Sequence, residues 1–252
     1  MQQHGSPAWN AWFDFCLLLP KVKRNSSTIH QLRCQDFQMQ AQRSIRLAGT
    51  QLGTVRHVCA FFANDEEEYR VLLPFIQEGL SGGDRAIHVV NPGQRQEHLR
   101  RLATEGIDTA AKQSSGQLQV QANTDVYLRD GRFDQDRMLT TFEEIAKTGR
   151  TVEGYPLSRI VCRMDWAAGD ESRIGNVIEF ESRVNDVWSR YDDVVICTYH
   201  LSQFSGDAVI DIMRTHPLVL IGAQLQQNPF YTRTDEFLRE YRGRRAEPGT
   251  HA

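Results

Sequence analysis

The chain has 252 residues, of which 40% are hydrophobic and 24% charged, with a formal net charge of -3. This is an ordinary balance for a folded domain, long enough for one large α/β unit or two small ones, and it excludes the basic footprint of a nucleic-acid binder. The longest apolar run near the start, Phe15 to Leu19, is far too short to span a membrane. The basic cluster Lys21-Val22-Lys23-Arg24 follows that run instead of preceding it, the reverse of a signal peptide, so the sequence reads as cytoplasmic.

Residues 1–52 carry Gln, Ser and scattered apolar residues with no clear period. They read as a poorly ordered extension with one helix near 31–47. The five cysteines, Cys16, Cys34, Cys59, Cys162 and Cys197, form no CxxC pair. Three fall in predicted strands and read as buried free thiols.

From residue 57 onward strands and helices alternate. His57 to Phe62 (HVCAFF) is the first strand, followed by a helix over 66–80 with Tyr69, Leu72, Leu73, Ile76 and Leu80 on one face. Asp65 is placed to cap it with Glu68 in capping-box position, Gly82-Gly83 ends it, and Pro74 inside it predicts a kink. Strands follow at 86–90, 117–121, 159–164, 194–199 and 218–221, and helices at 94–105, 134–147, 172–190 and 207–214. The tail after Gly243 reads as disordered. Short apolar strands interleaved with helices predict a three-layer α/β domain, with a mostly parallel sheet of about six core strands covered on both faces. Ligands of such folds bind where the strands end at their carboxyl side.

The first strand-to-helix turn is the most informative segment. Nucleotide-binding α/β proteins put glycines and a lysine there to wrap phosphates. This turn reads Ala63-Asn64-Asp65-Glu66-Glu67-Glu68, with no glycine, no lysine and four carboxylates. Such a turn repels a triphosphate, which points away from an NTPase and toward a sensor or interaction domain.

Other residues bear chemistry without forcing a reaction. Asp165 follows the apolar run Ile160-Val161-Cys162 where an NTPase places its magnesium-binding acid, and serves equally as a strand-end cap. Trp166 beside it either lines a pocket or packs in the core. Glu181 falls on the apolar face of its helix and needs a partner, for which Arg163 is one candidate. Tyr199-His200 should line the same edge as Asp165. His57 and His216, the latter fixed by Pro217, begin or precede their strands and so lie deeper or at the opposite edge. Together with Cys59, His88, Cys162, Cys197 and His200 these histidines raise the question of a metal site. The spacings match no standard zinc pattern, and satisfied buried histidines are the preferred reading.

The strings HVCAFFANDEEEYRVLLPFIQEGLSGGDRAIHVV, RMDWA and ICTYHLSQFSGDAVIDIMRTHPLVLIGAQLQQNPFY, in that order, resemble the MEDS family, the methanogen/methylotroph DcmR-type sensory domains. The resemblance spans roughly 53–240. It implies a divergent RecA/KaiC-like fold that lacks the phosphate-binding loop, and a stand-alone sensory role without catalysis. It also implies a small-molecule ligand, such as a hydrocarbon derivative, or a histidine kinase or transcription regulator as partner. No direct nucleic-acid contact, membrane, metal or cofactor is expected, and a homo-oligomer is compatible with the resemblance. The ligand-binding positions it marks are His57, Glu68, Asp165, Trp166, Glu181, Tyr199 and His216. Two other readings stay open: a degenerate ATPase that keeps nucleotide affinity through Asp165, and a module that regulates a histidine kinase or an anti-sigma factor.

Overall fold

Short, mainly apolar runs build the centre of the molecule, and those at 57–62, 85–90 and 158–163 are buried along their whole length, facing core on both sides of the sheet. The computed structural model describes residues 44–151 and 153–246. Strands β3 (His57–Phe62), β4 (Arg85–Val90), β5 (Leu118–Ala122), β6 (Ser158–Arg163), β7 (Val194–His200) and β8 (Leu218–Ile221) pair in parallel, and β9 (Gln224–Gln227) returns antiparallel on β8. The seven-stranded order is β5-β4-β6-β7-β3-β8-β9. The six parallel strands are those the sequence predicts. The polar strand Gln224-Leu225-Gln226-Gln227 was not anticipated, because an edge strand has only one residue to bury and leaves little apolar signal.

Helices cover both faces. On one face lie α1 (Asp65–Ser81), α2 (Arg95–Thr104) and α3 (Thr109–Ser114), over Val58, Ala60, Phe62, Val161 and Ile196. The short α4 (Asn123–Val126) follows β5. Helices α5 (Gln135–Thr151), α6 (Glu171–Trp188), α7 (Gly206–Arg214) and α8 (Thr234–Ala246) lie on the other face, over Cys59, Phe61, Ile160, Cys162, Cys197 and Tyr199. Alternation along a strand sends neighbouring residues to opposite faces. Thus Tyr199 belongs to the α6 side while Thr198 and His200 belong to the α1 side.

Three boundaries differ from expectation. Within the segment read as an extension, strands β1 (Arg46–Leu47) and β2 (Thr50–Gln51) form a hairpin around Ala48 and Gly49, both at positive φ. Ile45, Leu47 and Leu52 are buried in the α1-side core. A hairpin this short carries no periodic signature. The helix expected near 31–47 otherwise lies outside the described residues. At the other end α8 continues through Ala246, because Phe237 and Tyr241 stack in the core at 5.3 Å while Arg242 and Arg244 reach Glu179 and Asp211. The rest of the tail is outside the described residues. Finally, α1 is capped one residue earlier than predicted: Asn64 Oδ1 accepts from the Glu67 N–H at 3.0 Å, and α1 runs as one helix through Pro74.

Candidate functional site

Helix α1, by its docking over the ends of β6 and β7, brings the opening turn onto Arg163 and His200. Arg163 reaches Asp65 at 2.9 Å and also pairs with Glu68. Glu68 lies 3.1 Å from His200 Nε2 and accepts from Thr198 Oγ1 at 3.2 Å. His200 Nδ1 is 3.1 Å from Asp165 Oδ2, and the His200 backbone N–H donates to Asp165 Oδ1 at 3.0 Å. The hydrogen bonds from Asp165 and Glu68 push the His200 pKa up to about 9, against the opposing effect of burial. Three carboxylates therefore share two cations at the strand ends.

The negative charge of the turn is thus largely paired within the chain. Glu66 is matched by Arg101 at 2.6 Å, and Glu67 Oε2 accepts the Ala63 N–H at 2.7 Å. Two N–H groups of the turn, those of Ala63 and Glu67, are taken by the Glu67 and Asn64 side chains.

Beneath this charged group lies a cavity of about 40 Å³, lined by Leu72, Ile76, Val89 and Val161 with Tyr69, His88 and His98. Tyr69 Oη is 2.6 Å from His98 Nδ1, and His98 Nε2 is 2.8 Å from His88 Nδ1. The chain stops there, since His88 Nε2 is buried without a partner. Burial holds both imidazoles neutral, with His98 down to about 4 and His88 well below its ordinary value. The inner wall thus pairs apolar side chains with one free neutral polar atom, while the charged side chains Asp65, Glu68, Glu97, Arg101 and Arg163 line the rest. Tyr69 and His98 were not singled out in the sequence. Tyr69 reads there as one more apolar position of α1, and His98 is a lone histidine in a charged helix.

The second cluster sits on the α6 side. Glu181 is 0% exposed, and its partner is not Arg163, which lies on the opposite face of the sheet. Tyr199 Oη donates to Glu181 Oε1 at 3.0 Å. Glu181 Oε2 faces His57 Nε2 at 3.3 Å and His216 Nε2 at 3.4 Å, and accepts from Cys197 Sγ at 3.5 Å. Burial works to raise the Glu181 pKa, but the facing imidazoles of His216 and His57 hold it well below the carboxylate range.

The predicted positions therefore separate. Glu68 and Asp165 meet at the strand ends on the α1 side. His57, Glu181, Tyr199 and His216 meet beneath the opposite face, the deeper placement anticipated for the two histidines. Trp166 joins neither group: it is 9% exposed and stacks on Tyr127 at 4.9 Å, beside Phe133. Cys59, Cys162 and Cys197 are buried free thiols, aligned across β3, β7 and β6.

Among the described residues no helix is long and apolar enough to cross a membrane. The chain is similar to the transcriptional repressor DcmR of Methylorubrum extorquens (strain DSM 6343 / CIP 106787 / DM4), at 24% identity over 174 residues. The match covers 68% of this chain and 62% of that protein, so the chain spans about three fifths of its relative. The crystal structure of a KaiC-like protein from Pyrococcus horikoshii OT3 is similar with a TM-score of 0.46 at 14% identity, covering 65% of this chain and 69% of that one. The sequence profile of the MEthanogen/methylotroph, DcmR Sensory domain matches residues 56–217, from the start of β3 to the threshold of β8, and the chain belongs to the MEDS family.

Proposed function

We propose that this domain senses a small neutral organic molecule of a few non-hydrogen atoms, held in the cavity under the strand ends of the α1 side, and that it does so without catalysis. The observation that carries this reading is His88 Nε2, a buried polar atom without a partner on the wall of a cavity of about 40 Å³. An orphaned buried donor or acceptor costs about 1–3 kcal/mol, so a ligand that satisfies it gains that much beyond its apolar contact. The ionic lid of Asp65, Glu68, Arg163, Asp165 and His200 rests on the same helix, and occupancy would be read at the surface as a change in how α1 sits on β6 and β7. The name of the repressor relative supports a regulatory output, passed to a histidine kinase or a transcription regulator.

Retained nucleotide binding is the less favoured reading, because Asp165 is engaged with His200 and two N–H groups of the turn, those of Ala63 and Glu67, are occupied within the chain. The test is a thermal-shift and calorimetric screen of the full chain against short alcohols, ketones, amides and halocarbons. At least one should raise the melting temperature saturably, and Ile76→Phe, which fills the cavity, should abolish the shift. Stabilisation that persists in Ile76→Phe would move the site elsewhere.

A further inference from the structure

The cluster on the α6 side has the form of a coordination site. We infer that His57 Nε2, His216 Nε2, Glu181 Oε2 and Cys197 Sγ together bind one divalent transition metal ion, zinc being the best match. The four atoms all lie within 4.8 Å of one another. Bonds of about 2.0–2.3 Å to a tetrahedral zinc place its ligand atoms about 3.3–3.8 Å apart. Four of the six separations in the protein fall in that window: 3.3 and 3.4 Å from Glu181 to the two histidines, 3.5 Å from Glu181 to Cys197, and 3.7 Å from Cys197 to His57.

The surroundings orient the ligands as well. His57 Nδ1 is 2.9 Å from Asn185 Oδ1. Asn185 Nδ2 is spent on the carbonyls of Glu181, Ser182 and Thr215, which fixes Oδ1 as an acceptor. His216 Nδ1 is 2.9 Å from the Ile212 carbonyl. Both imidazoles therefore donate through Nδ1, and in the neutral form each turns an Nε2 lone pair toward Glu181 Oε2. Lone pairs converging on a carboxylate oxygen repel unless a cation lies between them. His216 Nε2 is indeed buried without a hydrogen-bond partner. Tyr199 holds the far carboxylate oxygen, leaving Oε2 for the centre. Such outer partners are characteristic of metal sites.

The charges also close. A divalent ion with one carboxylate, one thiolate and two neutral imidazoles has no net charge, as a fully buried site requires. Binding releases the Cys197 thiol proton. A mixed nitrogen, oxygen and sulfur set of this kind suits zinc or cobalt(II), whereas an all-oxygen cage would suit magnesium or calcium. Spacing along the chain hides the site, because its ligands come from β3, α6, β7 and the turn before β8.

The full chain, produced without a histidine tag and purified without chelator, is assayed for zinc by plasma mass spectrometry. It is then unfolded with chelator and refolded with cobalt(II) alone. About one zinc per chain is expected, and the cobalt form should show a thiolate-to-metal charge-transfer band in the near ultraviolet. Cys197→Ser should lose the band and Cys162→Ser should keep it, while Glu181→Gln should weaken affinity about tenfold or more. A wild-type chain that refolds and takes up neither metal overturns the site. So does a band that survives in Cys197→Ser. If Cys197→Ser does not fold, a chain with Cys16, Cys34, Cys59 and Cys162 all changed to Ser must still show the band, and its absence overturns the site.

Discussion

Asp165 binds His200 twice: Oδ1 accepts the His200 backbone N–H at 3.0 Å, and Oδ2 lies 3.1 Å from the ring Nδ1. The contact clasps the carboxyl end of β6 to that of β7. It also aims His200 Nε2 at Glu68 and so anchors the first turn of α1.

The His200 contact makes stability depend on pH in a defined direction. The folded pKa is raised to about 9 from an ordinary 6.5, so the stabilisation is complete below pH 6.5 and is lost as pH rises through 9. The groups facing the ring are Asp65, Glu68, Arg163 and Asp165. With solvent screening of this half-buried edge, the loss should be about 1–2 kcal/mol. Urea midpoints at pH 6 and pH 9.5 should fall further for wild type than for His200→Gln.

Tyr199 serves Glu181 directly. Tyr199→Phe should leave the fold intact but strip Glu181 Oε1 of its donor, at about 1–3 kcal/mol for the unsatisfied buried oxygen. Chemical denaturation reads this loss, and an unchanged midpoint would mean that water replaces the phenol.

Trp166 should behave as a core residue. Its stack on Tyr127 and contact with Phe133 predict that Trp166→Ala costs about 3–5 kcal/mol. A variant that keeps its melting temperature would put the indole back in a pocket.

The amino-terminal boundary is open to direct test. Chains beginning at residue 44 and at residue 53 differ by the burial of Ile45, Leu47 and Leu52. At about 1.5–3 kcal/mol for each large side chain, the shorter chain should be several kcal/mol less stable or insoluble. Equal melting temperatures would show that the hairpin adds nothing.

The strands were legible because each is a short apolar run bounded by turn residues, and the parallel order followed from the helices between them. The hairpin at 46–51, strand β9 and helix α8 were not, since each buries only one or two side chains in a polar segment. His57, Glu68, Asp165, Glu181, Tyr199 and His216 were named as candidates, but which of them meet was not legible. Tyr199 and His200 are adjacent in sequence and face opposite sides of the sheet. Only the strand register, such as Cys59 beside Cys197 and Cys162, reveals which candidates meet. Arg163 was read as a partner for Glu181 for the same reason, and the alternation along β6 turns it toward Glu68.

The sensing reading rests on His88, and nuclear magnetic resonance of the full chain labelled with ¹⁵N-histidine tests it most directly. On titration with the small molecule that most raises the melting temperature, the His88 Nε2 resonance should shift saturably, and Ile76→Phe should remove the shift. A saturable response at His57 and His216 with His88 unmoved would contradict the proposed cavity and place the ligand on the other side of the sheet.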